Sequence, residues 1–281
     1  MHENMKKSRN VDNTVVADFG EEWSRFDQSI LSNAERQLMF DGYFSVFPWK
    51  NLRSDAIGFD AGCGTGRWAV LVAPRVGHLH CIDPSSALNI AKRNLQQYTN
   101  CSFHQVSVDD MPLEDGSMDF GYSLGVLHHV PDTQEGIVAC VRKLKTGAPF
   151  LVYIYYAFDN QPGWFRTVWK LSDALRRVIS KLPYRIRYMV SQIIALLVYY
   201  PMARTAKGLE KLGVDVHSVP LSAYRDKSLY SMRTDALDRF GTKLERRFTK
   251  EGIKLMMECA GLENIEFSPN IPFWCAVGYK K

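Results

Sequence analysis

No stretch of the 281-residue sequence reaches the about 18 consecutive apolar residues that a membrane-spanning helix ordinarily needs, so no such helix is expected. The first ten residues are polar and basic with no apolar stretch behind them, and do not read as a secretory signal. The six cysteines (Cys63, Cys81, Cys101, Cys140, Cys259 and Cys275) form no CxxC pair and have no histidine at zinc-finger spacing. A reduced, cytoplasmic protein is the default expectation. Charge of one sign is also scarce: 35 basic against 30 acidic residues leave +5, which by itself implies no nucleic acid, and a DNA partner is not expected. Repeats and low-complexity segments are lacking too. What is present is 46% apolar content with 12% aromatic residues, enough for a sizeable core and too much for a disordered chain.

Residues 1–18 read as a flexible tail. Residues 19–55 read as an N-terminal helical cap: Phe19, Trp23 and Phe26 lead into a helical stretch over 32–45, and Pro48 with the polar run 51–55 marks a loop. From 56 to about 160 short apolar runs alternate with helical segments. Strands are expected at 56–60, 78–82, 101–106, 118–123 and 149–155, and helices at 67–73, 86–98 and 131–144. The pattern resumes after 248, where Thr249 suits an N-cap for a helix over 250–260 and Gly261 a C′ position, followed by strands at 264–268 and 272–279. This predicts an α/β fold: a doubly wound, seven-stranded, mostly parallel sheet with helices on both faces. Residues 161–247 form a helical insertion, or lid, between its fifth and sixth strands.

The strongest local signal is Asp60-Ala61-Gly62-Cys63-Gly64-Thr65-Gly66, which follows a predicted strand and opens a helix. Glycines there allow a tight turn and a close backbone approach to a ligand. Asp83 ends the second strand, where a carboxylate reaches ribose hydroxyls; Pro84-Ser85-Ser86 after it equally suits a helix cap, and the two roles are compatible. The spacing is GxGxG rather than the dinucleotide GxGxxG, and a carboxylate at the turn suits a cationic ligand portion and repels a pyrophosphate.

These residues resemble the first motif of class I S-adenosylmethionine-dependent methyltransferases. The resemblance extends through 109–120 (Asp109-Asp110-Met111-Pro112 onward), Ser123-Leu124-Gly125-Val126-Leu127-His128-His129 and Leu144-Lys145-Thr146-Gly147, and covers roughly 56–156 plus the closing helix and strand. It implies S-adenosyl-L-methionine as cofactor, with S-adenosyl-L-homocysteine as product. It also implies that Gly62, Gly64 and Gly66 lie under the methionine part with Asp60 near it. Asp83 would hold the ribose, and Ser123, Leu124 and Gly125 would line the sulfonium end. The family's adenine-contacting Asp aligns with Ser107, so adenine recognition falls to the Ser107 hydroxyl, the Val108 amide or Asp109. Gly125 stands where quinone-type relatives carry a carboxylate, so no metal is expected.

His128 and His129 follow the fourth strand at the ligand edge of the sheet and are the candidate general bases, the alternative being packing against the cofactor. Trp23, Tyr155 and Tyr156 are candidate substrate contacts. So are Tyr224, Arg225, Arg233 and Asp235, in a stretch of weak periodicity that reads as loop-like. The expected reaction is in-line methyl transfer to oxygen or nitrogen of a small organic or sugar-type acceptor, one that the basic insertion would attract if anionic. The alternatives are a lipid, quinone or RNA acceptor, a protein that binds the cofactor without methylating, and a nicotinamide oxidoreductase, which the GxGxG spacing disfavours. Residues 164–207 carry nine basic side chains and one acid, so the net positive charge sits in the insertion. Within it, 189–200 is nearly continuously apolar and ends at Pro201, too short for a bilayer. A buried lid helix, a homodimer interface, or a peripheral contact with an anionic membrane are the readings of that segment.

Overall fold

The computed structural model describes residues 10–281. Seven strands form one sheet: β1 (Ile57–Ala61), β2 (His78–Ile82), β3 (Cys101–His104), β4 (Phe120–Leu124), β5 (Pro149–Tyr153), β6 (Leu262–Phe267) and β7 (Ala276–Lys280). Their order is β3-β2-β1-β4-β5-β7-β6. The first five pair in parallel, and β7 runs antiparallel between β5 and β6. Neighbours in the sheet with order reversing at β1 and β4 leave a crevice at the carboxyl ends of these two strands, the ligand position of doubly wound folds. The glycine loop leaves β1 there, and Gly125 leaves β4.

Both faces of the sheet are covered. On one, α2 (Asn33–Tyr43), α3 (Ala69–Val72) and α4 (Leu88–Asn94) bury Phe40, Phe44, Val72 and Leu88 against Leu79, Phe120 and Tyr122. On the other, α5 (Thr133–Lys143) and α10 (Lys250–Cys259) bury Ile137, Cys140, Ile253 and Met257 against Phe59, Phe150 and Val152. Thr249 caps α10 as its position suggests, its hydroxyl accepting from the Gly252 amide at 3.1 Å. The helix expected at 67–73 is shorter and passes into a 3₁₀ turn, Ala73–Arg75, around Pro74.

Three expectations are corrected. Residues 13–18 are not a tail: α1 (Asn13–Arg25) starts at an Asp12 cap. The Asn10 amide ties that start to the backbone of Asp132 in both directions, at 2.8 and 2.7 Å. The remaining part of the expected tail, 1–9, lies outside the described residues. Gly20 lets α1 sit close over the turn after β2, since a Cβ there would fall 2.6 Å from the Ser86 hydroxyl.

The stretch holding Arg233 and Asp235 is a helix, α9 (Leu229–Gly241), capped by Ser228. It is enclosed on several sides, with Met232, Ala236, Leu237 and Phe240 buried, so it lacks the simple apolar-polar alternation that reveals a surface helix.

Pro201 does not end the apolar helix. After α6 (Gly163–Ile179), α7 (Tyr184–Ile194) passes through a π turn, Ala195–Tyr199, directly into α8 (Tyr200–Lys211). The π turn absorbs the missing amide and ring bulk of Pro201, and the chain stays helical. The combined helix, Tyr184–Lys211, is long and apolar enough to cross a membrane by length and composition. One of its faces is nonetheless packed: Ala195, Tyr199 and Ala203 join Ile179 of α6 and Met232, Ala236 and Phe240 of α9 in a third core.

Candidate active site

A cavity of about 530 Å³ opens at the crevice between β1 and β4. Its floor is the glycine loop, where Gly62, Gly64 and Gly66 all adopt positive φ (84°, 53° and 76°). A Cβ at Gly62 would lie 2.4 Å from the Val126 side chain, so the turn from β1 fits beside the turn from β4 only without one. Four of the loop's amides are already engaged. Gly62 and Cys63 donate to the Ile82 carbonyl at 2.7 and 2.9 Å, Gly64 to Asp83 Oδ2 at 2.9 Å, and Gly66 to the Cys63 carbonyl at 2.8 Å. A pyrophosphate needs such amides free, and here they are spent on the loop's own shape.

Asp83 lines the cavity beside this loop. Its Oδ1 accepts from the Ser85 amide at 2.8 Å and the Ser85 hydroxyl at 2.6 Å. With Gly64 on Oδ2, three of about four acceptor positions are filled, so the carboxylate caps the turn and keeps one lone pair for a ligand hydroxyl. Burial pushes its carboxyl up, opposed by the bonds from Ser85 and Gly64. Ser107, Val108, Leu124 and Gly125 also line the cavity; Asp109 instead accepts from the Ser107 hydroxyl at 2.7 Å.

Besides Asp109, three expected cofactor contacts lie off the cavity wall. Gly66 faces α4 instead, where a Cβ would fall 3.0 Å from Leu95 and 3.3 Å from Ala91. Ser123 is fully buried and donates to the Ala61 carbonyl at 2.8 Å, joining β4 to β1 rather than facing the cavity. Asp60 is buried behind the loop, against Tyr122, and burial pushes its carboxyl up to about 8. Its Oδ2 has no hydrogen-bond partner among the described residues.

Helix α1 walls the cavity with Val15, Val16, Phe19 and Trp23, and Trp23 lies over the glycine loop, 3.6 Å from where a Gly64 Cβ would stand. Arg67 lines the same wall, its guanidinium 4.5 Å from the Trp68 ring centre and 5.9 Å from that of Trp23.

The far end of the cavity is polar beneath and aromatic above. Tyr155, Tyr156, Tyr224 and Asp235 line it as the sequence suggests. Arg225 and Arg233 do not: Arg225 pairs with Glu210 at 2.8 Å, and Arg233 donates to Gln192 at 2.5 Å and Tyr188 at 3.3 Å, both outside it. His128 is also displaced from its expected role. It is fully buried, stacked 3.8 Å from Tyr155, with its pKa held well below the usual histidine value first by burial and then by His129 and Arg247. A neutral ring off the cavity wall has no acceptor to deprotonate.

His129 does line the cavity. Its Nδ1 is 2.7 Å from the Leu244 carbonyl, which makes Nδ1 the donor and turns Nε2 toward Asp238 Oδ1, 3.8 Å away. Tyr155 donates its hydroxyl to Asp238 Oδ2. Asp238, on α9, also lines the cavity, and burial raises its carboxyl while His129 and Tyr155 pull it back. Below it, Glu245 binds Arg239 at 2.5 Å and Arg247 at 2.8 Å, and Arg247 lies 4.9 Å from the Tyr155 ring centre. Burial alone would raise the Glu245 carboxyl, but Arg247 and Arg239 hold it below its ordinary value. Glu245 carries no signal in the sequence. Asp238 falls in the same charged and aromatic stretch as Arg233 and Asp235, which reads as a substrate wall, but its place one helical turn after Asp235 was hidden because periodicity did not reveal the helix.

The sheet order, the internally bonded glycine loop and the acidic residue after β2 define a Rossmann-like fold of the class I S-adenosylmethionine-dependent methyltransferase type. Residues 59–152 match the family described as a methyltransferase domain. Phosphoethanolamine N-methyltransferase 2 from Caenorhabditis elegans is 32% identical over 113 residues, covering 38% of this chain and 26% of that protein. The ubiquinone biosynthesis O-methyltransferase of Marinobacter nauticus is 33% identical over 98 residues, covering 33% of this chain and 41% of its own length. The chain thus spans less than half the length of these curated relatives. Among solved structures, the YcgJ protein from Bacillus subtilis superimposes with a TM-score of 0.50 at 14% identity, over 84% of this chain and 70% of that one, which speaks to the fold alone.

Proposed function

We propose that this protein transfers a methyl group from S-adenosylmethionine to an oxygen or nitrogen of an acceptor with a flat or apolar body. The observation that carries the cofactor is the loop itself: its amides are internally bonded, and the adjacent ligand-facing group is the Asp83 carboxylate. That environment suits a ribose diol and a cationic tail and disfavours a dinucleotide. When bound, S-adenosylmethionine supplies an electrophilic methyl on sulfur. Gly62, Gly64, Asp83, Ser107, Val108, Leu124 and Gly125 are the residues to hold it.

The chain's own part is to orient the acceptor, exclude water and receive a proton. Aromatic walls from Tyr155, Tyr156 and Trp169 suit a flat or hydrocarbon acceptor. Asp238 is the proton acceptor in this reading: its carboxyl is tuned upward by burial, the Tyr155 hydroxyl donates to one of its oxygens and the Thr242 hydroxyl to the other, with His129 Nε2 3.8 Å away. His129 shifts from the base expected in sequence to a neighbour of the base, held by its own bond to the Leu244 carbonyl.

Calorimetry with S-adenosylmethionine and S-adenosylhomocysteine tests the first half, and absence of binding to either would overturn it. Incubation of the protein with methyl-labelled cofactor and separate polar and organic-solvent extracts of cells tests the second. Label is expected in an extracted small molecule; binding without any label transfer would favour a cofactor-binding protein that does not methylate.

A further inference from the structure

Helices α6 and α7 carry two apolar stripes that nothing among the described residues covers. On α6, Trp164, Val168, Leu171, Leu175 and Val178 recur at helical spacing and are all exposed, Leu171 at 70%. On α7 and its π turn, Ile186, Met189, Ile193, Leu196 and Leu197 do the same, Leu197 at 67%. Soluble surfaces do not ordinarily place ten large apolar side chains in register on adjoining elements.

The charge beside these stripes is equally specific. Five of the nine basic residues over 164–207 are engaged within the fold: Arg176 and Arg177 with Asp173, Arg187 with Asp18, Lys207 with Asp226, and Arg204 with backbone carbonyls. Arg166, Lys170, Lys181 and Arg185 are exposed and make no ion pair among the described residues. These four cations flank the apolar stripes on α6 and at the turn into α7.

We propose that this face docks on an anionic bilayer, and that the acceptor is an amphiphile drawn from that leaflet into the cavity. The inference rests on the methyltransferase reading above and deepens it by naming the acceptor class. Charge decides between the two coverings that an apolar face invites. A second copy would bring the same unpaired cations toward each other, whereas anionic headgroups neutralise them. The helix lies on the membrane rather than crossing it, because the side opposite its stripe holds Arg187 paired with Asp18 and the Gly241 carbonyl, groups that cannot be surrounded by hydrocarbon. Val168 and Val198 connect the surface to the chemistry: each is partly exposed, at 47% and 42%, and each also lines the cavity. A hydrocarbon tail passing between them would stay on apolar surface from the leaflet to the aromatic chamber.

Flotation of the full chain with vesicles of phosphatidylcholine, alone and mixed with phosphatidylglycerol, tests the docking. The protein is expected to float with the mixed vesicles and far less with the neutral ones. A Leu171→Glu, Leu197→Glu double variant, altered only at exposed positions off the cavity wall, is expected to lose both. A Lys170→Ala, Lys181→Ala, Arg185→Ala variant is expected to lose on the order of 100-fold in affinity for the anionic vesicles only, from about 1 kcal/mol per cation near a charged surface. Failure of the wild type to float, or flotation of the double variant like the wild type, would overturn the proposal. So would a dimer in gel filtration that the double variant splits while vesicles are ignored, since a second copy then covers the face. Cofactor calorimetry on the same samples separates the two readings: retained binding without flotation removes the docking and leaves the methyltransferase reading, whereas flotation without cofactor binding removes that reading together with the acceptor assignment and leaves the docking.

Discussion

Two carboxylates flank the glycine loop and do different work. Asp83 faces the cavity with one acceptor position left, so Asp83→Asn is expected to weaken cofactor binding about 10- to 100-fold by calorimetry, the loss of a hydrogen bond to a charged group being about 1.5–3 kcal/mol. Asp60 sits behind the loop, its carboxyl raised to about 8 by burial. Between about pH 4 and that value the folded protein holds a proton there that the unfolded chain has lost. The associated stability is full in acid and disappears as pH rises through about 8. Asp60→Asn removes this dependence: without cofactor, its melting temperature is expected to exceed that of the wild type at about pH 8, the gap closing near pH 4. Both carboxylates were legible from their places at strand ends. Which of them meets the ligand was not, because that depends on the side of β1 from which Asp60 projects between β2 and β4. Asp238 was less legible still, since its partners His129 and Tyr155 are 109 and 83 positions away in sequence. If Asp238 receives the acceptor proton, Asp238→Asn is expected to lower kcat by about 10²–10⁴ with cofactor affinity retained, and Tyr155→Phe to move the pH profile of kcat while keeping activity measurable.

Among the elements, the strands and the helices that cover the sheet were readable because each shows one apolar face and ends at a turn or cap. Helices α1 and α9 escaped that logic. The first shows its apolar spacing in Phe19, Trp23 and Phe26, but its first turn lies in a polar stretch and is fixed by the Asp12 cap and the Asn10–Asp132 contact, while the second is enclosed by neighbours and by the cavity. Asp12 accepts from the Thr14 and Val15 amides at 2.9 and 3.2 Å. Asp12→Ala is expected to cost about 1 kcal/mol of local stability. Hydrogen exchange along α1 would then run about fivefold faster, with exchange in β4 unchanged. The Pro201 expectation failed for a different reason: proline stops a regular helix, but a π turn ending two residues earlier removes the conflict, and nothing in composition announces it.

At the scale of the whole molecule, buried ions join elements that apolar contact alone would leave separate. Arg187 of α7 bonds Asp18 of α1 at 2.5 and 2.9 Å and the Gly241 carbonyl at the end of α9 at 2.6 Å. Arg187→Met leaves Asp18 without its main partner and is expected to destabilise the protein by about 3 kcal/mol, read from urea unfolding. The sequence located the positive charge in the insertion but not its division into structural and free cations, since that division depends on which acids the fold brings near.

The same arginine has a mechanical consequence. Helix α7 turns its apolar stripe outward and, on its other side, latches the helix that closes the cofactor end of the cavity. One rigid rod therefore touches both the outside world and the door. A shift of α7 would be felt by α1 through the Arg187–Asp18 pair, so if the face docks as proposed, anionic vesicles are expected to change the rate at which S-adenosylhomocysteine leaves the protein, and an unchanged release rate would uncouple the two.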